Sequence, residues 1–324
     1  MEISCAFAPS LDTPEHVALA EKLGYRRAWL YDSPALYPDV WMTLARAADR
    51  TSTIGLGPAV LVPSLRHPMV NAAAIAGLEA QAPGRVAVAL GSGFTGRMVL
   101  GQRPMKWADV ASYVRALIGL LHGDEVEWEG ARLRMLHPEG FGAARPVHVP
   151  ILIGASGPKG LALATELGAG VFSAGLPQQV DAKWHALLGF GTVLDEGEDP
   201  ASSRALDAGG PGLLVVLHGT YESGGAAVDG FPGGKAWREA VEQTPAASRH
   251  LAVHEGHLVA INDRDRVAIA DMAPLLTAVG VSGTAAEVRA KVDAFGAGGV
   301  TEIAYQPAGP DIPRELRAFM DAVG

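Results

Sequence analysis

Short apolar runs alternate with longer amphipathic stretches along most of the chain, and the two periods predict different elements. Residues 3–8 (ISCAFA), 28–31, 54–60 and 86–90 are brief apolar segments bounded by turn-forming residues, as buried strands are. Between and after them, residues 13–24, 40–50, 68–80 and 108–121 carry helical spacing. The first of these helices opens on Thr13-Pro14-Glu15, with Thr as cap, Pro at the first helical position and an acid in the first turn. It closes on Gly24, which suits a left-handed C-terminal cap.

A polar, hairpin-like stretch from Glu125 to Met135 interrupts the pattern as an insertion at the rim. The pattern then resumes with a strand at Val149–Ile153, a helix at Pro158–Gly168 and a strand at Val171–Ala174. Next come a helix at Gln178–Ala186 and a strand at Gly189–Leu194. Pro211–Glu222 reads equally as a helix or a buried strand, and Ser223–Gly234 as a mobile glycine-rich loop. Residues 285–295, a strand at Glu302–Tyr305 and a helix at Pro313–Val323 complete the chain. Regular alternation of strand and helix predicts an α/β fold with a parallel sheet, and eight strands are what a closed (β/α)8 TIM barrel requires, here with insertions. No linker divides the sequence, so the expectation is a single barrel domain over residues 1–324.

Composition narrows the function. Hydrophobic residues make up 48% of 324 and charged residues 19%, enough for a large core and too apolar for disorder. A net charge of −9 argues against nucleic acid as partner, because binding its backbone needs a basic face. The one cysteine, Cys5, lies in an apolar run and reads as a buried structural thiol. With no secretory leader pattern and no membrane-length apolar run, the expectation is a cytoplasmic enzyme acting on a small molecule, away from membranes.

In such a barrel the chemistry belongs at the C-terminal ends of the strands. Tyr31-Asp32-Ser33 follows the second strand, Ala59-Val60 lies at the end of the third, and Gly91-Ser92-Gly93 follows the fourth. The stretch ILIGASGPKG runs the fifth strand into Gly154-Ala155-Ser156-Gly157 and then a helix, and Ser173-Ala174-Gly175 ends the sixth. Small residues at a helix N-terminus let backbone N–H groups reach an anion, so Ala155, Ser156 and Gly157 read either as a tight turn or as a phosphate cradle. His254-Glu-Gly-His257 has no carboxylate at metal-site spacing, and no metal site is expected. Walker A, GxGxxG and nucleophile-elbow patterns are all missing.

Several segments together resemble one family. IGLGPAVLVPSLRHPMVNAAAIAGLE with GRVAVALGSG, PILIGASGPKGLALATELGAGVFSAG, and GTAAEVRAKVDAFGAGGVTEIAYQPAGPD are similar to the luciferase-like monooxygenase superfamily. Within it they are nearest the coenzyme F420-dependent branch typified by methylenetetrahydromethanopterin reductase. The likeness spans nearly the whole chain and is weakest from Glu196 to Gly280. It implies a luciferase-like barrel, usually a homodimer, that binds F420 or, alternatively, FMN, with a reductase as possible supplier of reduced cofactor.

By the same resemblance, Ala59–Val60 is the non-prolyl cis bond that bulges behind the cofactor ring. Gly91, Ser92 and Gly93 contact the ring and its side chain, Ala155, Ser156 and Gly157 hold the phosphate, Asp32 lies near the ring's hydrogen-bonding edge, and Ala174 counts among the cofactor-binding residues. The sequence departs from the branch at Ala6 and Phe94, where carboxylates are usual, and at Ser33, where His is common. Catalytic protons would then come from Asp32, Ser33, Tyr37 or solvent. Three functions stay open at this point: an F420-dependent oxidoreductase moving a hydride to or from a small organic substrate, an FMN-dependent monooxygenase, or a non-catalytic ligand-binding barrel.

Overall fold

The computed structural model describes residues 1–175 and 179–324. Among the described residues there are ten strands: β1 (Glu2–Phe7), β2 (Arg27–Leu30), β3 (Gly55–Pro58), β4 (Val88–Gly91), β5 (Val126–Trp128), β6 (Ala131–Leu133), β7 (Ile151–Gly154), β8 (Gly170–Ala174), β9 (His185–Phe190) and β10 (Glu302–Gln306). Eight of them form one parallel sheet in the order β3-β2-β1-β10-β9-β8-β7-β4, while β5 and β6 make the antiparallel hairpin expected at the rim. The two ends of that sheet meet. Leu56 N donates to Arg85 O at 2.9 Å and Ala87 N to Leu56 O at 3.1 Å, and higher up Leu61 N donates to Ala89 O at 2.8 Å. The ladder is thereby closed into a (β/α)8 barrel.

Alternation along the strands sorts side chains into two cores. Inside the barrel lie Ala6, Trp29, Tyr31, Ala59, Ala89, Leu152, Phe172, Leu188 and Ala304. Outside it Cys5, Leu30, Val88, Ile153, Ile303 and Tyr305 pack against the helical ring. Small alanines in the lumen leave room for the large rings of Trp29 and Phe172, which meet edge to face at 5.4 Å. Cys5 is wholly buried, and burial pushes its thiol well above the ordinary range.

The helices fall close to the expected bounds. Thr13–Leu23 ends at Gly24 with φ of 91°, as a left-handed cap. Its N-cap is Asp12 rather than Thr13, whose hydroxyl instead accepts from Ser10 N at 2.8 Å and donates to Ala8 O at 3.2 Å, tying the loop after β1. The largest difference lies between β8 and β10. The expected helix at Gln178–Ala186 starts on a residue outside the described ones; residues 179–184 are not helical, and His185 already begins β9. The strand placed at Gly189–Leu194 therefore lies four residues earlier, at His185–Phe190.

Pro211–Glu222, left open between two states, belongs to a helix running Ser203–Gly224. Most of the expected loop at Ser223–Gly234 is helical too, with a 3-10 segment at Gly225–Gly230 and a turn left only at residues 231–233. With the helices Gly234–Glu242, Arg249–His254 and Asp263–Met272 it forms a cap that owns a second apolar cluster around Leu214, Leu217, Trp237, Ile269 and Met272.

Arg204 roots that cap. It bonds Glu198 and, at 3.0 Å, Glu315 Oε1. Hydrogen bonds from Arg204 hold the Glu198 carboxyl down at about 2, against an ordinary 4.5. A depressed carboxylate contributes stability that is present above the unfolded value and lost as pH falls through the folded one. Glu198→Gln is thus expected to flatten the acid limb of stability between pH 4.5 and about 2. Thermal melts across that window check it, and an unchanged limb would reject the role.

Candidate active site

The C-terminal end of the barrel gathers the residues that the sequence marks. Where β3 runs past Pro58, its register against β4 changes: Leu56 pairs Val86, but Leu61 pairs Leu90, five steps against four. One extra residue is absorbed as a bulge. The bond Ala59–Val60 is cis. Val60 presses its side chain onto the strand ends beside it: a Cβ on Gly154 would lie 2.4 Å from Val60 Cγ1, and one on Gly91 2.9 Å from Cγ2. Glycine at both positions is what admits Val60.

Gly91 pairs Gly154 across β4 and β7, so the loop Gly91-Ser92-Gly93 and the loop Ala155-Ser156-Gly157 start side by side. Gly93 has φ of 80°, a conformation glycine takes without strain, and a Cβ there would meet Val62 Cγ1 at 2.4 Å. Gly157 caps the helix Pro158–Leu167 with no side-chain hydrogen bond, in extended backbone, with open space where a Cβ would be. Ser156 beside it is exposed. The helix start thus carries no side-chain cap, as an anion site requires, and since Pro158 has no N–H its donors begin with Gly157 and Lys159 on either side of it. Ala174, at the end of β8, is exposed on the same rim.

Asp32 and Ser33 turn the chain after β2. Asp32 is 3% exposed, and Arg66 Nη1 donates to both of its oxygens at 2.7 Å, while Nη2 donates to Asp39 at 2.7 Å. Burial raises the Asp32 carboxyl above the ordinary carboxylate range, with the Arg66 bonds opposing. Ser33 is nearly buried, and its hydroxyl would lie 3.4 Å from a Cβ on Gly96, so β2's turn packs on the short helix Phe94–Met98 that follows the Gly91–Gly93 loop. The structure thus brings Asp32, Ser33, Ala59, Val60, Gly91, Ser92, Gly93, Ala155, Ser156, Gly157 and Ala174 to one end of the barrel.

Sequence reasoning did not find the groups contributed by the cap. The turn after helix Arg249–His254 descends onto the barrel mouth, and two barrel side chains hold it. Tyr37 donates its hydroxyl to His257 O, and Gln306 Nε2 donates to Leu258 O at 2.6 Å. Tyr31 donates in turn to Gln306 Oε1 at 2.7 Å. His257 is 3% exposed; its Nδ1 lies 2.8 Å from His218 Nδ1 and its Nε2 3.3 Å from Thr95 Oγ1. Burial, together with His218 and His254 nearby, keeps the His257 imidazole well below its ordinary pKa. The HEGH motif was the visible half of this cluster; the other half, His218, sits 39 residues earlier. Among the described residues, no group of three or more His, Cys, Asp or Glu is arranged to hold a metal ion. A cleft of about 380 Å³ lined by His122, His148, Val149 and Gly168 lies where β7 and β8 begin, at the opposite end from these residues.

Comparison with known proteins agrees with this architecture. The family model described as luciferase-like monooxygenase matches residues 9–188. The chain is 28% identical to a 5,10-methylenetetrahydromethanopterin reductase of Archaeoglobus fulgidus over 98% of its own length and 97% of that protein's. It is 34% identical to an F420-dependent glucose-6-phosphate dehydrogenase of Beutenbergia cavernae, over 51% of this chain and 52% of the other. In structure it matches the coenzyme F420-dependent tetrahydromethanopterin reductase of Methanopyrus kandleri with a TM-score of 0.66, 19% identity, and coverage of 99% and 98% of the two chains.

Proposed function

The chain belongs to the luciferase-like monooxygenase family, and on that footing we propose that it is a coenzyme F420-dependent oxidoreductase acting on a small organic substrate. The observation that carries the reading is the pairing of two glycine-based features at one rim: the Val60 bulge seated on Gly91 and Gly154, and the uncapped helix start at Gly157. Similarity over half of the chain to an F420-dependent glucose-6-phosphate dehydrogenase supports the choice of cofactor.

The residues fit such a group. Val60 would offer a raised apolar back to a flat ring, seated where Gly91 and Gly154 make room for it, and Ser156 and Gly157 would turn backbone donors to a phosphate, the Ala155 N–H being held by Phe172 O at 3.0 Å. Bound there, the deazaflavin supplies hydride transfer; the protein supplies position, exclusion of water and proton handling. Arg66 fixes Asp32 against the turn, so that one carboxylate keeps a set orientation and would be available to the polar edge of a bound ring. Tyr37 and Gln306 hold the cap down over the mouth and limit the entry of water.

FMN-dependent oxygenation is the second reading, and Phe94 favours it: the ring is 46% exposed beside Gly219 of the cap, an apolar wall where a carboxylate would suit proton chemistry. Titration separates the two. F420 is expected to bind at least about tenfold tighter than FMN, a difference near 1.4 kcal/mol. Fluorescence quenching of each cofactor checks it, and tighter binding of FMN would overturn the F420 assignment.

A further inference from the structure

We propose that Thr95, His257, His218 and Asp265 form a proton path serving a hydroxyl-bearing substrate at the barrel mouth, with Thr95 and His257 exchanging the proton and His218 and Asp265 positioning them. The inference rests on the hydride-transfer reading above and adds the substrate class: an alcohol and its carbonyl partner.

The path is continuous and its direction follows from what each atom can do. Asp265 is 2% exposed in the first turn of helix Asp263–Met272, where the helix end favours a carboxylate. Its Oδ1 accepts from Trp237 Nε1 at 2.9 Å, and His218 Nε2 lies 3.4 Å away. A carboxylate only accepts, so His218 carries its proton on Nε2. A neutral His218 then has a bare Nδ1, which accepts from His257 Nδ1 at 2.8 Å. His257 in turn has a bare Nε2 and accepts from the Thr95 hydroxyl at 3.3 Å. Thr95 is half-buried and lies two residues after Gly93, so the open end of the chain meets the cofactor loop.

The groups around His257 leave this direction intact. His254 lies edge-on at 5.3 Å with neither ring nitrogen hydrogen-bonded, and its Nε2 faces Glu222 Oε1 at 3.3 Å. Tyr37 touches only the His257 carbonyl, and Trp237 stacks on His218 at 5.6 Å. His257 is thus a neutral base with a carboxylate behind it.

In alcohol oxidation the substrate C–H bond breaks and its electron pair leaves with the hydrogen as hydride to the oxidised deazaflavin. The O–H bond breaks, its proton passes to Thr95 Oγ1 while the Thr95 proton passes to His257 Nε2, and the C=O bond forms. Reduction of a carbonyl is the reverse, from the imidazolium. Hydride addition to an iminium needs no proton on the substrate, so a dedicated path favours the alcohol–carbonyl pair.

Two measurements test this. Nitrogen–proton correlation spectra of the histidine rings in the free protein should show His218 protonated at Nε2 and His257 at Nδ1, with the pattern lost in Asp265→Asn. With F420-loaded protein and 2-propanol, 2-butanol and cyclohexanol as probes, His257→Gln should slow F420 reduction by roughly a hundredfold or more, within the usual range for acid–base groups. Thr95→Val should lose about tenfold, and Thr95→Ser should restore what it loses; Asp265→Asn should fall between, all at unchanged F420 affinity. The opposite tautomers, an undiminished His257→Gln rate, or no reduction of F420 by any of these alcohols would overturn the proposal. Failure of wild-type protein to bind F420 would instead reject the functional reading, and the ring spectra would still decide whether the path exists.

Discussion

Replacing Glu302 by alanine is expected to lower the free energy of unfolding by about 3–5 kcal/mol, the usual cost of removing one member of a buried ion pair. Glu302 begins β10, faces the lumen and is fully buried. Its Oε2 accepts from Arg27 Nη1 at 2.8 Å and Trp184 Nε1 at 2.7 Å, and its Oε1 accepts from Trp29 Nε1 at 2.8 Å. The Arg27 guanidinium also lies 4.4 Å from the Trp184 ring centre and 5.4 Å from that of Trp29. One carboxylate therefore satisfies a cation and an indole from β2 and a second indole just before β9, at the floor of the barrel.

Alanine would leave both indoles without an acceptor, leave Arg27 only its 3.7 Å contact with half-exposed Glu2, and open a void among large rings. Glu302→Gln keeps the volume and one acceptor, and a smaller loss, about 1–3 kcal/mol, is expected. Glu166→Ala is the control: its partner Arg115 is 51% exposed, and such pairs contribute about 0–1 kcal/mol. Urea unfolding of the three variants checks the order, and a loss under about 1 kcal/mol for Glu302→Ala would show that the floor repacks.

The barrel was legible where a strand's flanks are unambiguous. Thr13-Pro14 before one helix and Gly24 after it mark β1 and β2 from either side. It was least legible at β9. There Ala186, Leu187 and Leu188 are apolar on both faces, because the lumen and the helical ring both bury them, so no alternation shows. Gly189 and Gly191 then read as the start and body of a later strand. Gly191 is instead an exit, with φ of 149°, pressed so close that a Cβ would stand 2.6 Å from the Val281 backbone.

The cap was hidden for a related reason. Its first helix carries Gly209, Gly210, Pro211 and Gly212 in succession, which local propensity reads as a break. Close approach explains the glycines: a Cβ on Gly212 would come within 2.4 Å of Phe190 Cβ, and one on Gly209 within 2.6 Å of Leu276. Tertiary contact outweighs propensity there, and with Pro211–Glu222 open between helix and strand, His218 had no fixed face from which to meet His257. The loops at Gly91–Gly93 and Ala155–Gly157 stood out because they abut strands that were clear, and their adjacency follows from the β4–β7 pairing.

Ser156→Asp is expected to weaken F420 binding by at least about a hundredfold, near 2.7 kcal/mol, while leaving the melting temperature equal or higher. The two effects have opposite signs for one physical reason. The uncapped start of helix Pro158–Leu167 presents N–H groups and the positive end of a helix dipole. A carboxylate placed next to it stabilises the helix by about 0.3–1 kcal/mol, and by the same attraction it occupies the place of a phosphate and repels one. Gly157→Val separates shape from charge. Gly157 has φ of −123° and nothing within 4 Å of a Cβ, so valine is sterically admitted and costs little beyond a weaker cap. Its branched side chain would fill the space in front of the N–H groups, and F420 affinity should again fall with the fold intact. If Ser156→Asp raises the melting temperature and leaves cofactor affinity untouched, the helix start is only a turn, and the phosphate is held elsewhere on the rim.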